Sequence, residues 1–84
     1  MIKPVINING SSKDDLFGPR LDAMDRIGEA IEELKKVTPN GRDYPGDNDQ
    51  CLADRKIHYD RIKVLQDLYI ELYDEALAIR RQGQ

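Results

Sequence analysis

A single cysteine, a single histidine, one phenylalanine and no tryptophan leave this chain few of the usual means of holding a small domain together. Cys51 has no partner within the chain, so an intramolecular disulfide is ruled out. One cysteine with one histidine falls short of the nitrogen and sulfur ligands that structural zinc needs, and neither a metal nor a cofactor is expected. No apolar run approaches the ~20 residues of a membrane helix. The start, MIKPVINING, is too short and polar for a signal peptide. There is no basic excess: the net charge is −3, which argues against a general nucleic-acid binder. These absences together predict a cytoplasmic protein with a reduced Cys51.

The 84 residues make one domain. A chain this short buries a modest share of its surface, so a partner chain is the economical source of further burial. Residues 1–11 read as an extended arm. Ile2, Val5, Ile6 and Ile8 are β-formers, Pro4 interrupts any ladder, and Asn9-Gly10 marks a turn. The arm either packs across its own chain or docks on a neighbour. From residue 12 to 84 the pattern is helical.

Ser12 reads as an N-cap, with Asp14 and Asp15 complementing the helix dipole. Gly18-Pro19 interrupts the pattern, and proline fits best at a first helical position. The sequence therefore predicts a short leader helix at 12–17 and a separate helix at 19–37. In the latter, Met24, Ile27, Ile31 and Leu34 form one apolar face, and Thr38-Pro39 is the stop. Outside that face, Glu32 and Lys36 are an i,i+4 pair.

The second long helix is expected over 50–81, with Asp49 as N-cap. His58, Ile62, Leu65, Tyr69, Leu72, Ala76 and Ile79 recur at alternating spacings of 4 and 3, a heptad seam. A second row, Ile57, Val64, Leu68 and Leu77, widens the apolar face. The helices differ in length, roughly 28 Å against roughly 48 Å at the α-helical rise. The excess predicts surface without an internal partner. The expected fold is thus all-α: a hairpin of two antiparallel helices with a leader helix and an extended arm, assembled as a homo-oligomer. Ile62, Leu65, Tyr69, Leu72, Ala76 and Ile79 are the expected interface.

Between the helices stands a loop, TPNGRDYPGDND, residues 38–49. Asn40-Gly41 and Pro45-Gly46 are turn signals. Between them, Arg42 offers a planar fork suited to phosphate or carboxylate, and Tyr44 offers an aromatic face. Arg42 and Tyr44 are the leading ligand-binding candidates, with Asn40, His58 and Arg61 behind them. The alternative is that Arg42 pairs with Asp43 or Asp47 while Tyr44 pins the loop. His58 could join Tyr44, Arg55 and Arg61 in a site, or be a satisfied core histidine. Asp54 lies at i−4 from it, but that pair alone does not make an enzyme. Asp47, Asn48 and Asp49 lack the alternating ligands of a calcium loop and read as helix capping.

INGSSKDDL at 8–16, PNGRDYPG at 39–46, and the helix from ADRKIHYDRI to ELYDEALAIR resemble a group of small proteins encoded by tailed phages and prophages. That resemblance implies a bacterial host cytoplasm and carries over no catalytic residues. In architecture alone, the chain is similar to phage proteins that sequester the cyclic nucleotides of host immune signalling between subunits. The resemblance implies a non-enzymatic counter-defence protein that captures an anionic nucleotide at a subunit boundary. A protein-binding module stands beside it: a phage accessory factor, or an inhibitor docking on a host protein through the long helix.

Overall fold

The computed structural model describes residues 2–5 and 13–82. Two helices, α1 at Lys13–Lys35 and α2 at Asn48–Gln82, form an antiparallel hairpin closed by a short 3₁₀ turn at Gly41–Asp43. No strand occurs among the described residues. No helix among them is long and apolar enough to cross a membrane. The molecule is a rod of 64 × 18 × 17 Å.

The expected break at Gly18-Pro19 is absent: leader and main helix are one, and α1 runs through Pro19. The proline removes the amide that would bond the Asp15 carbonyl. One turn of side-chain chemistry helps hold the segment together, since Arg20 Nη1 donates to the Leu16 carbonyl at 2.9 Å. Leu16 and Phe17 before the proline, and Arg20, Ala23 and Met24 after it, are all half-buried or buried. Burial on both sides of the proline outweighs its local preference for a helix start. The expected Ser12 cap lies outside the described residues.

α1 ends at Lys35 by tightening. Lys36, Val37 and Thr38 each donate a backbone N–H three residues back, at 3.1–3.3 Å, and Thr38 Oγ1 donates to the Lys35 carbonyl at 2.8 Å. The expected Glu32–Lys36 pair is replaced by two i,i+3 pairs, Lys35–Glu32 at 3.1 Å and Lys36–Glu33 at 2.8 Å. Both are exposed, so they contribute little.

α2 starts one residue before the expected cap. The capping carboxylate is Asp47, which accepts from the Gln50 N–H at 3.0 Å. Asp49 lies in the first turn, where its charge suits the dipole.

Met24 and Ile31 of α1 meet the α2 face that holds Cys51, Ile62, Ala76 and Ile79, and these side chains form the buried core. The heptad seam is real, but α1 of the same chain covers much of it. His58, Ile62, Ala76 and Ile79 are buried, Leu65 and Leu72 are half-buried, and Tyr69 is 37% exposed. Ile62, Ala76 and Ile79, expected at a subunit interface, therefore have no surface left to give to one.

The length mismatch is also met from within. At the helical rise, α1 spans roughly 34 Å and α2 roughly 52 Å. The loop folds back over the first turns of α2, where Cys51 is buried. At the other end the arm lies along the last turns. The Ile2 N–H donates to Glu75 Oε1 at 2.9 Å, and Gln82 Nε2 donates to the Pro4 carbonyl at 2.8 Å. The arm is held by these polar contacts, because Ile2 and Val5 remain exposed. Ile6 and Ile8 lie outside the described residues.

Candidate functional site

The loop is two turns in series. Asn40, in extended conformation, caps the 3₁₀ turn, and its Oδ1 accepts from the Arg42 N–H at 2.9 Å. Asp43 and Tyr44 then donate their N–H groups to the carbonyls of Asn40 and Gly41. The chain reverses again over Tyr44-Pro45-Gly46-Asp47, closed by the Asp47 N–H on the Tyr44 carbonyl at 3.0 Å. Gly46 has φ +79°, the left-handed value that the third residue of a type II turn requires. Pro45 presets its own φ for the second position of that turn. This is the physical content of the Pro-Gly signal.

These turns lay Tyr44 against α2. Its hydroxyl donates to Asp54 Oδ2 at 2.6 Å, while Gln50 Nε2 donates to Asp54 Oδ1 at 2.8 Å. Both carboxylate oxygens are thus engaged. The hydrogen bonds from Tyr44 and Gln50 hold Asp54 below its ordinary 3.8, against the opposing effect of burial and with a lesser contribution from the charge of Arg61. The same hydrogen bond, then burial and the facing carboxylate charge, pushes the Tyr44 phenol up to about 12. A second tie fixes the loop, with Arg55 Nε donating to the Pro39 carbonyl at 2.8 Å.

His58 closes the floor. Its Nε2 lies 2.7 Å from the Leu34 carbonyl, near the C-terminus of α1. A carbonyl only accepts, so this nitrogen carries the proton and the imidazole caps α1. The possible pair with Asp54 does not form, because Asp54 is taken by Tyr44 and Gln50.

The result is a cleft of about 340 Å³ between the loop and the two helix ends. Leu34, Val37, Pro39 and Ile57 give it apolar walls, and Tyr44, Asp54, His58 and Arg61 supply polar groups. Three of the five predicted ligand residues, Tyr44, His58 and Arg61, meet here. The other two, Asn40 and Arg42, do not line it. Arg42 is exposed and turns back on Asn40, with its Nε 3.3 Å from Oδ1. It pairs with neither Asp43 nor Asp47. The cleft balances one Arg against one Asp, so its formal charge favours neither sign of ligand. Among the described residues, no group of acidic, histidine or cysteine side chains could hold a metal ion.

Sequence reasoning passed over a second polar cluster at the arm end. Glu75 is buried, accepts the Ile2 amide, and lies 4.0 Å from Arg20 Nε, itself largely buried. That Arg20 nitrogen has no hydrogen-bond partner among the described residues. A glutamate beside a seam position reads as solvated, and only its place next to Ala76 hinted otherwise. Searches among family models, curated proteins and solved structures each return no match to this chain, so the site is read from its own geometry.

Proposed function

We propose that the chain is a non-enzymatic binding module that offers the outer face of α2 to a protein partner. One observation carries this reading. Both overhangs of α2 are covered from within, yet Ile57, Val64 and Leu68 stay 52%, 67% and 42% exposed along a single row. Scattered exposed aliphatics are ordinary, but Val64 and Leu68, in line with Ile57 beyond Arg61, make a surface suited to another helix. The polar groups nearby serve structure: Tyr44, Asp54 and Arg55 have partners that hold the loop, and His58 caps α1. Among the described residues, no nucleophile stands beside a free base.

The test is affinity capture from a bacterial lysate with the intact chain and with Val64→Lys. The expected outcome is a partner, a lysate protein or a second copy of the chain, retained by the first and lost by the second. A module that neither self-associates nor retains any protein in a Val64-dependent way would end this reading.

The nucleotide-capture reading ranks second, favoured by the meeting of Tyr44, His58 and Arg61 in one cleft. Against it weigh the Asp54 carboxylate inside that cleft and the position of Arg42 outside it. A ligand that binds only the native state must raise the melting temperature. A panel of cyclic and linear nucleotides is expected to leave it unchanged. A rise abolished by Arg61→Ala would promote this reading over the first.

A further inference from the structure

Resting on the binding-module reading, we infer that the partner of the α2 face is a second copy of this chain, paired antiparallel through Arg61, Val64, Leu68 and Glu71. Ile57, Arg61, Val64, Leu68 and Glu71 follow one another at spacings of 4, 3, 4 and 3, and all five are exposed. This is a second heptad row beside the one that α1 covers. It runs roughly 21 Å along the helix.

The charges select the occupant and its direction. Two lysine–aspartate pairs lie elsewhere on the exposed surface of α2, Lys63 with Asp67 at 2.8 Å and Lys56 with Asp60 at 3.9 Å. Arg61 and Glu71 form no ion pair among the described residues, and Arg61 acts on Asp54 across the cleft only through its charge. They flank the apolar pair symmetrically, Arg61 three residues before Val64 and Glu71 three after Leu68.

Apply a two-fold axis at the midpoint of Val64 and Leu68. In antiparallel pairing, Val64 of one copy then meets Leu68 of the other, twice. Arg61 shares a layer with Glu71 of the second copy, also twice. A parallel pairing would place Arg61 beside Arg61 and Glu71 beside Glu71, and like charges in one layer repel. Arg61, Val64, Leu68 and Glu71 are thus complementary to themselves in one orientation only, as an isologous dimer requires.

The test is sedimentation velocity on the intact chain across a range of concentrations, with helical circular dichroism recorded in parallel. All three substituted positions are exposed, so folding is expected to survive. The wild type is expected to dimerise. Val64→Lys is expected to be monomeric. Arg61→Glu and Glu71→Arg, each alone, should weaken association tenfold or more, and the double variant should recover it. A wild type that stays monomeric, a dimer indifferent to Val64→Lys, or a double variant no better than the singles would overturn the inference. A monomer that still captures a lysate protein through Val64 sinks the self-pairing and leaves the module standing. A monomer that captures nothing sinks both.

Discussion

The two ends of the rod cover the same helix by different chemistry. At the turn end, neighbours in sequence do the work: Asn40 on Arg42, Asp47 on Gln50, Gln50 and Tyr44 on Asp54. All four pairs lie within ten residues of each other, and the longest turn-end ties, Arg55 to Pro39 and His58 to Leu34, span only 16 and 24. At the arm end, Ile2 reaches Glu75 and Pro4 reaches Gln82 across most of the chain. Local ties cost little loop-closure entropy, whereas distant ones wait on the assembled hairpin. The arm end should therefore depend on the global fold, and the turn end should tolerate partial loosening elsewhere.

The largest effect is expected at the arm end. Ile79 is completely buried, and Ile79→Ala should cost about 2–5 kcal/mol. Native chains are stabilised by only ~0.05–0.15 kcal/mol per residue, so this single change could remove much of the total. Thermal or urea unfolding measures it. A cost below about 1 kcal/mol would mean that this end collapses onto the gap, and would erase the contrast between the ends.

Pro19→Ala is expected to act in the opposite direction. Because α1 is continuous, the substitution restores an interior helical amide and should stabilise by up to about 3 kcal/mol. A proline at a first helical position would give almost no gain, so a neutral result would reinstate a helix break at 18–19. Glu75→Gln comes next. It keeps an acceptor for the Ile2 amide but strips the charge from in front of Arg20, at about 1–3 kcal/mol. The equivalent turn-end variants should be milder when followed by the same unfolding curves.

These contrasts also explain what could be read without coordinates. The α2 seam was legible because burial against one neighbour enforces the 3–4 spacing that His58, Ile62, Ala76 and Ile79 obey. Periodicity marks a face, however, and does not say who covers it. Ile62, Ala76 and Ile79 turned inward for that reason, and of the second row Ile57, Val64 and Leu68 were left outside while Leu77 is half-buried. The turns were legible because Pro45-Gly46 needs a positive φ that few residues other than glycine accept. The placement of Arg42 was not, because a guanidinium that suits phosphate equally suits the side-chain amide oxygen of Asn40. Pro19 misled because its local cost was visible and the burial on either side of it was not. Glu75 was hidden because its partner amide lies 73 positions away.

The smallest expected effect is at the turn end, and pH exposes it. Asp54 has a lowered pKa, so its contribution is full above the ordinary carboxylate value of 3.8 and is lost as pH falls through the lowered one. Tyr44 has a raised pKa, so its contribution is full below its ordinary 10.0 and is lost as pH rises through about 12. Between these limits the Tyr44–Asp54 bond should not respond to pH at all. Phenolate absorbance should show a titration step near 12 that Tyr44→Phe removes, with α2 helicity unchanged, since Arg55 still holds Pro39 and Asp47 still caps the helix. If Tyr44→Phe instead releases the arm end as well, the two ends are one cooperative unit, and the division between local and distant ties does not describe how this rod comes apart.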